Sequence, residues 1–191
     1  MLYGKRIRLR AIEREDIPIL VDWFNDPEVR KHLILYEPMS RVKEERWFEA
    51  LLGMKDRYFF IIEIQKGEEW VSIGTVDLFR IDWKNRVVYF GITIGEKTCW
   101  GQGYGSDATG TALLFAFHEL NLNRVELEVF EDNLRAIRCY EKIGFQHEGT
   151  RRKAVFKGGS YHNVWLMGIL KDEFREEQEV YIQKEKGAEK G

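Results

Sequence analysis

The run Trp100-Gly101-Gln102-Gly103-Tyr104-Gly105-Ser106-Asp107-Ala108 sets three alternating glycines where a helix begins, and this constrains everything around it. Glycine lets the backbone turn where a side chain would clash and lets amides approach a ligand closely. The first turn of a helix leaves N–H groups unpaired and carries the positive end of the helix dipole. A phosphate or pyrophosphate satisfies both, so the run reads as an anion site. The helix itself is marked by Ala108, Ala112, Ala116 and Leu120 at four-residue spacing, with Leu113 and Phe117 on the adjoining row. Its start coincides with Gly103 to Gly105.

Alone, the run is ambiguous. Gly103 to Ala108 also fits the dinucleotide pattern G-x-G-x-x-G/A, and Glu126 and Glu128 follow about 20 residues later, as that pattern asks. A dinucleotide fold needs repeated strand-helix-strand units, whereas the chain before Trp100 reads as strand-turn-strand. No G-x-x-x-x-G-K-[ST] phosphate loop occurs. A tight turn without a ligand is the plainest alternative.

With 191 residues the chain reads as one domain able to bury roughly 70% of its unfolded surface. A formal charge of -2 gives no pull toward nucleic acid or an anionic membrane, so neither is expected as a partner. The apolar stretch Ala112 to Phe117 is too short to span a bilayer. Cys99 and Cys139 are the only cysteines, not in a C-x-x-C arrangement, and the expected compartment is the cytoplasm. His32, His118, His147 and His162 lack metal-ligand spacing, so no metal is expected.

Ile7, Leu9 and Ala11 alternate with Arg6, Arg8 and Arg10, a half-buried strand. Acidic residues near Asp16 can cap a helix carrying Ile17, Leu20, Val21 and Phe24, which Asn25-Asp26-Pro27 breaks. Ser40 opens a second helix with Trp47, Leu51 and Met54 in one row. Residues 57–65, 70–81 and 86–95 then read as an antiparallel meander feeding the glycine turn. In the second half, Val125, Leu127 and Val129 alternate with Glu126 and Glu128, a strand with one face solvated or turned into a site. A helix starts near Asp132 or Asn133 and stops at Gly144. Residues 145–157 and 160–170 form a hairpin around Lys157-Gly158-Gly159. From residue 172 the chain is charged, and a short helix with a frayed end is expected.

These residues together resemble the GNAT acyltransferase superfamily across residues 5–170. Trp100-Gly101-Gln102-Gly103-Tyr104-Gly105 is similar to the family's pyrophosphate-binding turn, (Gln/Arg)-x-x-Gly-x-(Gly/Ala), with Trp100 where Gln or Arg is common. An aromatic residue there is typical of the branch acetylating ribosomal-protein N-termini. Asn133 to Phe145 resembles the family segment N-x-x-A-x-x-x-Y-x-x-x-G-F at every marked position. Asp82 to Phe90 and the Tyr161–Asn163 region are also similar to spermidine acetyltransferases.

The resemblance implies an α/β fold with one mixed sheet, in which an antiparallel meander splays from a parallel βα half around a cofactor cleft. It implies a domain over residues 1–171 with a charged tail over 172–191, and a homodimer is compatible with it. The activity implied is acetyl transfer from acetyl-coenzyme A to an amine, either a peptide or protein N-terminus or a small molecule. A polyamine acetyltransferase and a non-catalytic acyl-coenzyme A binder are the alternatives.

On this reading the pyrophosphate lies on Gln102, Gly103, Tyr104, Gly105 and Ser106. The pantetheine arm runs beside Ile94 and Asn133. The amine attacks the thioester directly, a backbone amide near Ile92 to Ile94 holds the oxyanion, and Tyr140 protonates the leaving sulfur. The base is less defined. Where several family members carry a glutamate, this chain has Tyr89 in Val88-Tyr89-Phe90-Gly91. Glu37 is the first carboxylate considered, followed by Glu44, Asp77, Glu126 and Glu128. Such a weak-base site points to an amine of low pKa.

Overall fold

The computed structural model describes residues 1–175. The apolar-basic alternation at the N-terminus forms β2 (Ile7–Ala11), with Ile7 and Leu9 fully buried, preceded by a two-residue strand β1 (Leu2–Tyr3) that is too short to signal itself in the sequence. Helix α1 (Ile17–Asn25) ends at Pro27 as expected. The break also starts a new element: Asp26 accepts hydrogen bonds from the backbone N–H groups of Glu28 (2.8 Å) and Val29 (3.2 Å), and caps the short helix α2 (Pro27–Arg30). Ser40 caps α3 (Arg41–Leu52) by accepting from Lys43 N–H at 3.2 Å.

The meander is β3 (Tyr58–Lys66), β4 (Glu69–Asp82) and β5 (Val87–Ile94), antiparallel throughout. The glycine turn leads into α4 (Tyr104–Leu114). The expected helix to Leu120 instead widens into a π-helical turn over Phe115–Glu119, where Phe115 packs edge-on against Tyr58 and Phe60 at 5.3 and 5.5 Å. Strand β6 (Arg124–Phe130), helix α5 (Leu134–Ile143) and the hairpin β7 (Gln146–Lys157) and β8 (Ser160–Leu170) complete the order. The eight strands of the described residues form one sheet in the order β1-β2-β3-β4-β5-β6-β8-β7.

Strand periodicity divides the core. Val76, Leu78, Val88 and Phe90 pack with Ala108, Ala112 and Phe117 of the α4 segment, whereas Ile61 packs with Leu20, Trp23, Phe48 and Leu51 of the N-terminal helices. Each fully buried side chain of this size contributes roughly 1.5–3 kcal/mol of transfer free energy. Phe174 joins the first cluster, its ring 5.6 Å from that of Phe117. The frayed end expected of the C-terminal segment lies outside the described residues from 176 onward. No helix among the described residues is long and apolar enough to cross a membrane.

One irregularity of the sheet positions the site. Strands β5 and β6 are parallel neighbours, but they pair only from Val87↔Arg124 to Tyr89↔Glu126. Beyond Tyr89, β5 stays bonded to β4 as far as Ile94, and β6 stays bonded to β8 through Phe130. The two strands therefore part, and the β6-facing edge of β5 has no partner strand from Phe90 to Ile94.

Candidate active site

A cleft of about 750 Å³ occupies this wedge and extends over the face of β4 and β5 beneath α2. One wall is the mouth of α4. Gly103 is the helix N-cap at φ +85°, a left-handed conformation, and contributes no side-chain cap. The N–H groups of Gln102 through Ser106 donate to no described residue. At Gly105 a Cβ would sit 3.8 Å from Ile94 Cγ1, an ordinary contact, so nothing in the protein itself demands glycine there. Its missing side chain leaves the cleft floor open beside five unpaired donors. These features fit a pyrophosphate.

The turn is braced from outside. The Arg6 guanidinium stacks on the Tyr104 ring at 4.4 Å and donates to the Gln102 carbonyl, while the Gln102 side chain donates to the Thr98 carbonyl at 2.5 Å. Thus Gln102 and Tyr104 offer backbone amides, and their side chains face away from the cleft lining. Trp100 donates its indole N–H to the Ile94 carbonyl at 2.7 Å, and Arg135 stacks over the Trp100 ring at 4.0 Å. The aromatic residue in place of the usual Gln or Arg thus locks the turn to the end of β5.

Helix α5 supplies the second wall. Asn133 caps it, accepting from Ala136 N–H at 3.3 Å, and also lines the cleft, so one residue takes both roles the sequence allowed. Its amide donors meet no described partner. Gly144 ends the helix in the left-handed conformation. Tyr140 is 7% exposed, wedged between Phe90 and Phe145 at 6.3 and 5.7 Å, and its hydroxyl makes no hydrogen bond to a described residue. Burial holds its pKa well above the ordinary phenol value, so the proton stays on the oxygen. Neighbouring Cys139 lies 3.1 Å from the Ser106 hydroxyl, and burial pushes its thiol up. A protonated thiol is a poor nucleophile.

The third region is a chamber on the opposite face of the meander. Alternation places Thr75, Asp77 and Phe79 of β4 and Tyr89, Gly91 and Thr93 of β5 on its floor, with Phe59 beside them. Glu28, His32, Leu33 and Ile34 form its roof. Lys157 at the hairpin tip fixes that roof by donating to the carbonyls of Arg30 (2.6 Å) and Leu33.

The carboxylates separate clearly. Glu37 lies outside the cleft, its side chain 71% exposed and paired with Lys43, which lowers its pKa. This corrects the expectation that Glu37 serves the site: a solvated, cation-paired carboxylate is a poor proton acceptor. Glu44 is buried within the N-terminal helices with no hydrogen bond to its Oε2, away from the cleft. Asp77 lines the chamber at 16% side-chain exposure, held by Arg57 at 2.9 and 2.5 Å, and burial raises its pKa despite that arginine. Gly91, its cross-strand partner, leaves the floor bare next to it. Glu128 lines the cleft paired with Arg151 at 2.7 Å, whereas Glu126 is bound to Arg124 and lies off the lining. Tyr89 lines the floor with its ring 5.9 Å from Phe79, at the last pair before β5 and β6 diverge.

Comparison with known proteins gives the family of the chain. Residues 6–146 match the model of the acetyltransferase (GNAT) domain. The chain is 30% identical to an uncharacterized N-acetyltransferase, p20, of Bacillus licheniformis, over 91% of this chain and 97% of the relative. It is 29% identical to spermidine N(1)-acetyltransferase of Vibrio cholerae, over 90% and 96%. The solved structure of a spermidine N-acetyltransferase from Vibrio cholerae in complex with CoA and spermine superposes with a TM-score of 0.83 at 26% identity, covering 89% of this chain and 98% of that one.

Proposed function

Because this chain belongs to the GNAT acetyltransferase family and is an N-acetyltransferase that uses acetyl-CoA, we propose that the α4 mouth and α5 hold the donor and that the chamber takes an α-amine of low pKa, most simply that of a peptide or amino acid. The observation that carries the donor half is the row of unpaired N–H groups around Gly103. Bound acetyl-CoA supplies an activated acetyl thioester. Everything else belongs to the chain. The amides of Gln102 to Ser106 bind pyrophosphate, and Ile94 with the free donors of Asn133 flanks the arm in the wedge. The unpaired edge of β5 from Ile92 to Ile94 offers backbone amides to a developing oxyanion. Tyr140, kept protonated by burial, holds the proton that the departing sulfur needs.

On the acceptor side, Asp77 is the carboxylate best placed to receive the amine's proton, since it alone combines burial, a raised pKa and an open floor at Gly91. The chamber offers little free negative charge: Glu28 is bound to Lys97 at 2.8 Å, Asp77 to Arg57 and Glu128 to Arg151. A polycation gains little there. At pH 7 an α-amine of pKa about 7.8 is roughly 14% neutral, against ~0.04% for a lysine-like amine of pKa about 10.4. The second reading, a polyamine acceptor, draws on the spermidine acetyltransferases among the relatives and on the three carboxylates that line the cleft. Steady-state kinetics at pH 7 on an α-amine peptide and on spermidine distinguish them. A higher kcat/KM for the peptide is expected, and a higher value for spermidine overturns the acceptor reading while leaving acetyl transfer intact.

We take residues 1–171 as the catalytic domain and 172–191 as a charged tail, of which Phe174 packs against the core. Two unbridged cysteines, Cys99 and Cys139, accord with a reducing, cytoplasmic setting.

A further inference from the structure

The charge balance of the chamber is uneven. Its three carboxylates each have a cation, but Arg80 on the chamber wall has no carboxylate partner among the described residues. The placement of Arg80 is specific. It sits at φ +54° inside the register shift between Phe79 and Asp82, where β4 bulges against β5. A bulge re-aims a side chain that a regular strand would alternate to the other face. Of the four non-glycine residues with positive φ among the described residues, Arg80 is the one on the cleft lining. The guanidinium stands 6.0 Å from the rings of both Phe79 and Tyr89, at the edge of the floor that also carries Asp77.

Resting on the α-amine reading above, we propose that Arg80 determines acceptor specificity by binding a carboxylate carried close to the reacting amine. The planar guanidinium presents two parallel N–H donors that match a carboxylate, a geometry that a lysine ammonium does not reproduce. Asp77 then faces the amine and Arg80 faces the anion, so the pair reads an acceptor bearing both charges. The carboxylate can be the α-carboxylate of a free amino acid or the side chain of an acidic first residue. The chemistry is the same in each case.

The test compares two C-terminally amidated tripeptides that differ only in Asp or Asn at the first residue, together with free asparagine, whose one carboxylate is the α-carboxylate, at pH 7 and saturating acetyl-CoA. The wild-type protein should favour the Asp-first peptide over the Asn-first one by about 10-fold or more in kcat/KM, mainly through KM, as expected for a charge-assisted bidentate contact. Free asparagine turning over as well as the Asp-first peptide assigns the α-carboxylate as a second source, and asparagine left unused confines the contact to the side chain; both support the inference. In Arg80→Gly, which relieves the positive φ and so preserves the bulge, the Asp/Asn ratio should collapse toward one, and Arg80→Lys should restore only part of it. An Asp/Asn ratio near one in the wild type, or an unchanged ratio in Arg80→Gly, overturns the role of Arg80 even if α-amines remain the better acceptors. Spermidine exceeding every peptide overturns the underlying acceptor reading instead.

Discussion

The α4 mouth and the acceptor chamber lie on one cleft, yet they are built in opposite ways. The mouth is local: Gly103, the five unpaired N–H groups of Gln102 to Ser106 and the brace from Trp100 come from one short run of chain, with Arg6 alone reaching in from a distance. The chamber is assembled from distant pieces. Asp77 meets Arg57 across 20 residues of sequence, and Lys157 reaches the carbonyls of Arg30 and Leu33 across more than a hundred. On the proposed reading, backbone geometry suits the mouth to a ligand common to a whole family, and side chains that can be exchanged singly suit the chamber to selecting the acceptor. Changes at the mouth should therefore abolish binding of the donor, and changes in the chamber should tune rate and choice of acceptor.

The largest effect is expected at Gly105. Gly105→Val puts a branched side chain on the cleft lining, at a position where the Cβ itself meets only an ordinary contact with Ile94 Cγ1 at 3.8 Å. Loss of two charge-assisted contacts of roughly 1.5 kcal/mol each should weaken acetyl-CoA binding on the order of 100-fold. Isothermal calorimetry on the folded variant measures this, and unchanged affinity would remove the anion site from the account. Gly103→Val should in addition lower the melting temperature, because a β-branched residue held at φ +85° costs roughly 1–3 kcal/mol.

Next in size is Tyr140→Phe, expected to reduce kcat by about 10²-fold, the scale of general acid catalysis, with little change in acetyl-CoA affinity. Wild-type turnover would return Tyr140 to a packing role between Phe90 and Phe145. Asp77→Asn should have a smaller effect on kcat/KM, about tenfold, since a low-pKa amine is already roughly 14% neutral at pH 7. The acidic limb of the wild-type pH profile should fall above the ordinary carboxylate range, because burial raises the pKa of Asp77, and that limb should disappear in the variant. An unchanged profile would assign the proton to water.

Legibility followed the same division. Asn133 and Tyr140, seven residues apart on one helix, and the glycines at the α4 mouth were readable because their relations are fixed by local backbone geometry. Glu37 was misplaced because a loop carboxylate carries no sequence mark of its partner, and Lys43, six residues on, holds it in solvent. Asp77 could be named but not ranked: its arginine, its bare neighbour Gly91 and its burial depend on strand register. Arg80 carried no signal, since a bulge becomes visible only once β4 and β5 are paired. The divergence of β5 and β6 was inherited from the resemblance, as no residue pattern sets where a parallel ladder stops.

The smallest effect concerns a group outside both regions. Glu44 is buried without a partner for Oε2, and burial raises its pKa above the unfolded value. The folded state therefore binds this proton more tightly than the unfolded state does. Its stability is favoured below the ordinary carboxylate pKa and declines as pH rises through the folded value. Glu44→Gln should stabilise the protein by about 1 kcal/mol at pH 7, with the two melting temperatures converging toward pH 4. A variant less stable than wild type at pH 7 would mean that the carboxylate is held by a favourable contact.

The division of the cleft can be tested in one measurement, amide hydrogen exchange with and without CoA. If the mouth and the free edge of β5 hold the nucleotide and its arm, protection should appear at Gln102 to Ser106 and at Ile92 to Ile94, with Asp77, Arg80 and the roof around His32 unchanged. Protection confined to the chamber, or absent from Gln102 to Ser106 at saturating CoA, would contradict the account.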